Sequence, residues 1–212
     1  MKTFIRAIVL LNLVSCSTIY YNTWEFFGQE KRDILESKME NVESSQESAG
    51  EQLQDSLEII REKFNFKEGE LEETYDDLSD DYDNFEKRSR DLEQRITSAQ
   101  EVADDLFDEW KEEAYALDNR TYRKNSLSKR SKTMKSFNRA LVSTKKVHKK
   151  MDTILKQYKD HVIYLKHNLN AKIIGNLEVE MKSIVRDVQS LIKEIEASKS
   201  KTSEFISTLK VN

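Results

Sequence analysis

The chain has 212 residues, with no proline, four glycines and one cysteine, and 35% of its residues are charged. Folds rich in β-structure need turn residues every dozen positions, so this scarcity of proline and glycine argues against sandwiches and barrels. A single cysteine excludes an internal disulfide framework and a multi-cysteine metal site. The abundance of Glu, Lys, Leu, Ser and Asp is instead typical of long helices.

Residues 1–15 have the features of a lipoprotein signal peptide. Lys2 and Arg6 precede an apolar stretch (AIVLLNLV) that is too short to span a bilayer. The stretch ends in Leu-Val-Ser-Cys, which resembles the lipobox of bacterial lipoproteins and implies lipidation of Cys16. The expected mature chain begins there, with residues 16–22 as lipid anchor and short linker. The alternatives are an ordinary cleaved signal peptide and an uncleaved anchor.

The residues that follow the cysteine bear on location. Ser17 stands where an aspartate would favour retention in the inner membrane, so the resemblance implies an outer-membrane lipoprotein that faces the periplasm. Two or more acyl chains hold a protein stably on a membrane. The alternative location is soluble in the periplasm. Tyr20 and Tyr21 are expected at the membrane interface, where amphipathic rings are favoured.

Four segments carry apolar residues at alternating spacings of three and four, which predicts four amphipathic helices. The expected helices cover about 23–64, 70–117, 126–167 and 172–210, within a single domain of residues 23–212. Their similar lengths and short connections predict an all-α fold, an elongated antiparallel four-helix bundle of the coiled-coil type. The last break is weak, so a third helix continuous with the fourth is the alternative.

The same spacings predict which residues are buried. The first stripe comprises Leu35, Met39, Val42, Gln46, Ala49, Leu53, Ser56 and Ile60. The second comprises Leu71, Tyr75, Leu78, Tyr82, Phe85, Ser89, Leu92, Ile96, Ala99, Ala103, Leu106 and Trp110. The third comprises Met134, Phe137, Leu141, Thr144, His148, Met151, Leu155, Tyr158, Val162, Leu165 and Leu169. The fourth comprises Leu177, Met181, Ile184, Val188, Leu191, Ile195, Ser198, Thr202, Phe205 and Leu209.

Two blocks of opposite charge occupy the middle of the chain. Residues 68–118 contain 20 acidic and five basic residues, whereas residues 119–172 contain 16 basic and two acidic ones. Each exposed ion pair contributes only about 0–1 kcal/mol, but opposite signs favour the two helices as neighbours. The blocks are therefore interpreted first as a device that pairs the second helix with the third.

The sequence offers little catalytic chemistry. The acidic run at residues 76–83 lacks the glycine of a calcium loop, so it is interpreted as a solvated helix face. None of the three histidines follows a glutamate at the Glu-x-x-His spacing of di-iron bundles. Phosphate-binding loops, nucleophile elbows and zinc-type cysteine spacings are absent from the sequence. We therefore expect no catalytic residues, no metal, no cofactor and no enzymatic activity.

Four polar residues remain as candidates. His148 stands beside Thr144 on the third stripe and is interpreted as a position that fixes helix register, with a pH-sensitive core switch as the alternative. Arg120, Arg123 and Lys124 belong to a turn that returns to the end of the bundle near the anchor. They are expected to contact anionic lipid headgroups, or else to form a basic loop with no fixed partner. An exported protein meets little nucleic acid, so none is expected as a partner.

Three stretches resemble a family of bacterial envelope proteins of unknown function, many of them described as lipoproteins. They are residues 24–35, 102–110 (VADDLFDEW) and 162–171 (VIYLKHNLNA). The resemblance implies a helical envelope protein and supplies no catalytic residues. The expected function is a membrane-tethered spacer or adaptor that binds an envelope protein, or a second copy of itself, through helical surfaces. The alternative is a regulatory module that senses pH, divalent cations or lipid.

Overall fold

The computed structural model describes the backbone of residues 16–63, 71–167 and 174–210, and the side chains of 31–62, 72–167 and 181–210. The predicted signal peptide lies outside these residues. The described part forms four helices and no strand: α1 (Cys16–Lys63), α2 (Leu71–Ala116), α3 (Arg120–His167) and α4 (Ile174–Lys210).

The four helices form a ring in which each packs against two neighbours and α4 closes onto α1. Side-chain contacts run antiparallel across the interfaces. Arg139 of α3 contacts Glu204 of α4 at 3.2 Å, whereas Lys150, further along α3, contacts Glu194, which is earlier in α4. This pairing requires the chain to reverse between α3 and α4, so the continuous-helix alternative is wrong. The predicted antiparallel four-helix bundle is confirmed.

The buried stripes of α1 and α4 are those that the sequence predicts. Every predicted stripe residue of these two helices is buried wherever the structure describes its side chain. The polar members are included, since Gln46, Ser198 and Thr202 are fully enclosed. Leu177 lies outside the described side chains. Ser45 and Leu57 of α1 and Ile206 of α4 are buried beside these stripes although they were not predicted to be.

The inner face of α2 is wider than predicted, since Phe107 and Ala114 are also buried, and it is displaced by one residue at two levels. Thr74 and Asp81 are buried, whereas the neighbouring Tyr75 and Tyr82 are half-buried at the flank. The interpretation of the acidic run as a solvated face is therefore wrong for Asp81, although Asp83 is exposed as expected. A helix in a four-helix bundle buries a wider face than a two-residue heptad seam, which admits positions beside the apolar ones.

The inner face of α3 is shifted in the same way. Ala140, Val147 and Ile154 are buried although they were not predicted to be. Leu141 and His148, which were predicted on the stripe, are half-buried. His148 thus lies on the flank that faces α2, and the enclosed polar position at this level of α3 is Thr144.

The connection between α2 and α3 is only three residues long, and α3 begins six residues before the predicted start at 126. Asn119 explains the early start because its side-chain oxygen caps the helix. It accepts hydrogen bonds from the backbone N–H groups of Thr121 at 2.9 Å and Tyr122 at 3.2 Å. The Arg123 guanidinium donates to the Leu117 carbonyl at 2.6 and 3.1 Å, which closes the turn from the other side.

Candidate functional site

A buried carboxylate is held between α1, α2 and α3. Asp81 is only 2% exposed and accepts three hydrogen bonds. Ser56 and Gln52 of α1 donate to its Oδ1, each at 2.8 Å. The Tyr158 hydroxyl of α3 donates to its Oδ2 at 2.7 Å. These four residues are called the charged layer below.

The charged layer contains one group whose protonation can change in an accessible pH range. Burial raises the pKa of Asp81 above its usual range, while hydrogen bonds from Tyr158, Ser56 and Gln52 oppose that rise. Burial next to Asp81 also raises the pKa of Tyr158, so its hydroxyl stays protonated and donates. The layer therefore stores a negative charge inside the bundle when Asp81 is ionised.

A second polar cluster crosses the bundle without any charge. Gln46 of α1 donates through Nε2 to Ser198 Oγ at 2.7 Å and to Thr144 Oγ1 at 3.2 Å. Its Oε1 accepts from the Thr202 hydroxyl at 3.2 Å. All four residues are at most 1% exposed. These residues, called the neutral layer below, join α1 to α3 and α4 and fix their relative register.

His148 lies in a groove between α2 and α3 with a volume of about 260 Å³. Its Nε2 is 3.6 Å from Asp152 Oδ1, and the Ser89 hydroxyl donates to the same oxygen at 3.2 Å. The carboxylate thus lies between the serine and the histidine. In a hydrolytic triad the histidine occupies the middle instead. The geometry therefore supports a polar bridge between helices rather than an activated nucleophile.

Potential metal ligands are dispersed. Over the described residues, no three His, Cys, Asp or Glu side chains are grouped so that they could hold a metal ion. Nor does any helix in this part of the chain have an apolar stretch long enough to cross a bilayer.

The tip of the bundle formed by residues 115–124 exposes both apolar and basic side chains. Tyr115 is 57% exposed, Leu117 37% and Tyr122 64%. Arg120 and Lys124 are also exposed, whereas the guanidinium of Arg123 is bound to the turn. Exposed apolar side chains close together on a surface often mark a contact site.

The tip lies at the end of the bundle where α1 begins. Lys31 of α1 contacts Glu109 of α2 at 2.9 Å, and the two helices are antiparallel. Counting 1.5 Å per residue from this contact, Cys16 lies about 12 Å beyond the end of α2, on the outer side of the tip. The side chains of Cys16, Tyr20 and Tyr21 lie outside those described, so the backbone alone gives their place in α1.

A cluster around Trp110 ties three helices together just inside the tip. The Arg32 guanidinium lies 4.4 Å from the centroid of the Trp110 ring, a cation–π contact between α1 and α2. The indole N–H donates to Ser126 Oγ of α3 at 2.9 Å. This cluster supports the tip and gives it a fixed position relative to α1.

The fold and these polar layers define an all-α protein of the antiparallel four-helix bundle class. The chain belongs to the family described as "Protein of unknown function (DUF2959)", whose model matches residues 20–209. No curated protein and no solved structure matches the chain. Membership agrees with the resemblance to an uncharacterised helical family, and the lipoprotein and envelope assignments remain predictions.

Proposed function

We propose that the protein is a non-enzymatic lipoprotein of the outer membrane, tethered through Cys16 and facing the periplasm. Its bundle acts as a spacer or adaptor that presents helical surfaces to another component of the envelope. The tether rests on the coincidence of the basic n-region, the short apolar stretch and the only cysteine. Soluble periplasmic residence is the alternative that the first experiment addresses.

The observation that carries this proposal is the shared end of the bundle. The start of α1 and the tip of residues 115–124 lie at one end, so a lipid on Cys16 would bring the tip to the membrane. Tyr115 and Tyr122 suit the membrane interface, where amphipathic aromatic rings are favoured. Arg120 and Lys124 suit anionic headgroups, at about 1 kcal/mol per basic residue near the surface.

The length of the bundle supports a spacer role. α2 has 46 residues, and at 1.5 Å per residue a helix of that length extends roughly 70 Å. A bundle standing on its tip would hold its far end at about this distance from the membrane. The outer faces of the helices then offer adaptor surfaces along that length.

A regulatory role is a second candidate, and Asp81 is the observation that favours it. An enclosed carboxyl with a raised pKa couples protonation to the stability of the bundle. His148, which the sequence suggested as the sensor, is only half-buried. A pH response of the bundle is therefore expected to depend on Asp81.

The tether is tested by intact mass of the protein extracted from separated inner and outer membranes, with Cys16→Ala beside it. The expected result is a chain that begins at Cys16, carries acyl mass and is found in the outer-membrane fraction. Cys16→Ala is expected to lose both the acyl mass and the membrane association. A native protein without acyl mass, or one with an intact Met1, would contradict the tether.

The tip is tested separately with the Cys16→Ser chain and vesicles that contain one-third anionic lipid. Arg120→Glu with Lys124→Glu is expected to weaken binding by about fivefold or more per residue, given about 1 kcal/mol for each basic side chain. The control is Arg186→Glu with Lys193→Glu, two exposed positions on α4. Equal binding by both double variants would show that the tip makes no lipid contact, whatever the state of Cys16.

A further inference from the structure

The outer surfaces of α2 and α3 carry opposite net charges, although four of the five basic residues of α2 lie between positions 87 and 95. α2 contains 17 acidic and five basic residues, whereas α3 contains 15 basic and two acidic residues. The two helices are neighbours in the ring. One side of the bundle, called the α2/α3 face below, therefore has an acidic half and a basic half.

Much of this charge points away from the bundle. Asp83 and Glu93 of α2 are exposed, and so are Lys149 and Lys156 of α3. The Asp108 side chain is 83% exposed even though it lies 4.0 Å from a guanidinium nitrogen of Arg130. Elsewhere α3 directs basic side chains to α4, as in Arg139–Glu204. Packing α2 against α3 thus leaves the two charged halves open to a further partner.

The two halves match in height along the bundle. Lys145 of α3 donates to Gln100 of α2 at 2.6 Å, and Ser89 of α2 donates to Asp152 of α3 at 3.2 Å. Continuing this antiparallel register puts Glu93 at about the height of Lys149. By the same step, Asp83 lies at about the height of Lys156.

We propose that the α2/α3 face binds the same face of a second copy of this chain, in a parallel dimer. Two copies that meet face to face have two choices of two-fold axis. An axis across the bundle places α2 against α2 and α3 against α3, which opposes like charges. An axis along the bundle places α2 of each copy against α3 of the other at equal height, so Glu93 meets Lys149 of the second copy. Charge complementarity therefore selects the parallel arrangement.

The face is large enough for a specific interface. Two helices of this length, side by side, present roughly 70 by 20 Å, or about 1,400 Å² per copy, against about 800 Å² per partner in a standard interface. Its charged character predicts an association that weakens as salt is added. The parallel arrangement also puts both Cys16 ends at the same end of the dimer, which suits two tethers in one membrane.

The experiment is analytical ultracentrifugation of the full chain with Cys16→Ser at low and high salt. The dimer does not depend on the proposed tether, so this background separates the two proposals. We expect a dimer at low salt that dissociates at high salt. Lys149→Glu with Lys156→Glu is expected to weaken the dimer by about tenfold or more, because acidic residues then face acidic residues. The same is expected for Asp83→Lys with Glu93→Lys, and Arg186→Glu with Lys193→Glu on α4 is the control.

Mixing the two charge-reversed variants tests directly whether α2 of one copy contacts α3 of the other. In a parallel dimer, the reversed α3 of one variant meets the reversed α2 of the other, and both contacts become complementary again. We expect the mixture to dimerise although neither variant does so alone. A native chain that stays monomeric at low salt, a dimer insensitive to both reversals, or a mixture that fails to associate would each overturn the proposal.

A crosslinking experiment distinguishes the parallel dimer from an antiparallel one. Asp104 is exposed on α2, about eleven residues from the middle of the helix. In the parallel dimer its two copies lie at the same height. In an antiparallel one they lie roughly 30 Å apart. A short bismaleimide crosslinker should therefore join Asp104→Cys chains in the Cys16→Ser background, and failure to join them while the dimer persists would refute the parallel arrangement.

Discussion

The charged layer and the neutral layer cross the same bundle about 15 Å apart along α1, as ten residues of helix separate Gln46 from Ser56. Both combine short polar side chains with larger hydrogen-bonding ones, Gln46 in the neutral layer and Gln52 and Tyr158 in the charged layer. They differ in what happens when a partner is lost. Thr144 of the neutral layer donates to the carbonyl one turn earlier at 3.0 Å, and the Thr202 hydroxyl has the Ser198 carbonyl, also one turn earlier, as an alternative acceptor at 3.2 Å. Asp81 cannot be satisfied in this way because a carboxylate only accepts.

The two layers show that the depth at which a polar residue is buried does not by itself decide how much stability is lost when the residue is replaced. The neutral layer is the better enclosed of the two, yet Thr144 and Thr202 keep local acceptors, as Ser56 of the charged layer also does. The charged layer includes the half-buried Gln52, yet its carboxylate depends on donors from two other helices. We therefore expect substitutions in the charged layer to cost more free energy of unfolding than equivalent substitutions in the neutral layer.

The largest effect is expected from Tyr158→Phe. It removes the donor to Asp81 Oδ2 and leaves a buried acceptor without its partner, which costs about 1–3 kcal/mol of unfolding free energy. Urea denaturation at pH 7 measures this loss. Tyr82→Phe is the matched control, because the one hydrogen bond of the half-buried Tyr82 among the described side chains goes to Glu86 on its own helix, at 3.3 Å. We expect it to change stability by about 0.5 kcal/mol or less. Equal losses for both variants would contradict the special role of the charged layer.

A smaller difference in stability is expected between the leucine variants of the two glutamines. Gln52→Leu removes a hydrogen bond to a charged group, for which about 1.5–3 kcal/mol is typical, and partial exposure of Gln52 reduces that figure. Gln46→Leu removes neutral hydrogen bonds, each typically about 0.5–1.5 kcal/mol, and adds apolar contact in return. We expect Gln52→Leu to lower the free energy of unfolding more than Gln46→Leu in the same denaturation experiment, although Gln52 is only half-buried and Gln46 is fully buried. A larger loss for Gln46→Leu would show that the depth of burial, rather than the charge of the hydrogen-bonding partner, determines how much stability is lost.

The smallest expected effect is a gain in stability rather than a loss. The pKa of Asp81 is raised by burial, so the stability it contributes is present at acidic pH and is lost as the pH rises through the folded-state pKa. Asp81→Asn remains uncharged at every pH and is expected to raise the melting temperature at pH 7 relative to the native chain. The gain should shrink as the pH falls toward the ordinary range of aspartate. Asp83→Asn, an exposed change on the same helix, is the control. A pH-independent difference would exclude Asp81 as the titrating group.

How far the sequence predicts this molecule depends on which residues carry the signal. In α1 and α4, large aliphatic residues occupy the inner positions and every described residue of the predicted stripe is buried, including Gln46 and Ser198, although the pattern misses Ser45, Leu57 and Ile206 beside it. In α2 the pattern selects Tyr82, because a large aromatic residue outweighs the aspartate beside it. A tyrosine at a flank keeps its hydroxyl near water while its ring packs, and this frees the inner position for Asp81.

The donors of the charged layer explain why Asp81 was missed. Gln52 and Ser56 come from α1, and Tyr158 lies 77 positions further along the chain. The carboxylate is tolerated in the core only because these side chains donate hydrogen bonds to it. The sequence of α2 itself gives no sign of these donors. The Asn119 cap was missed for a different reason. The polar stretch around it resembles a loop, and the capping hydrogen bonds become evident only from the geometry of the turn.

The closure of α4 onto α1 has a consequence for how the chain reaches this fold. Gln46 and Ser198 are 152 positions apart, so the neutral layer cannot form until nearly the whole chain has been made. Until α4 is in place, α1 lacks its last neighbour in the ring. Throughout that interval its apolar stripe has one open side. The α2–α3 hairpin, by contrast, is joined by a three-residue turn and needs no contact with the ends of the chain, so the ring is completed by the segments that are most distant in sequence.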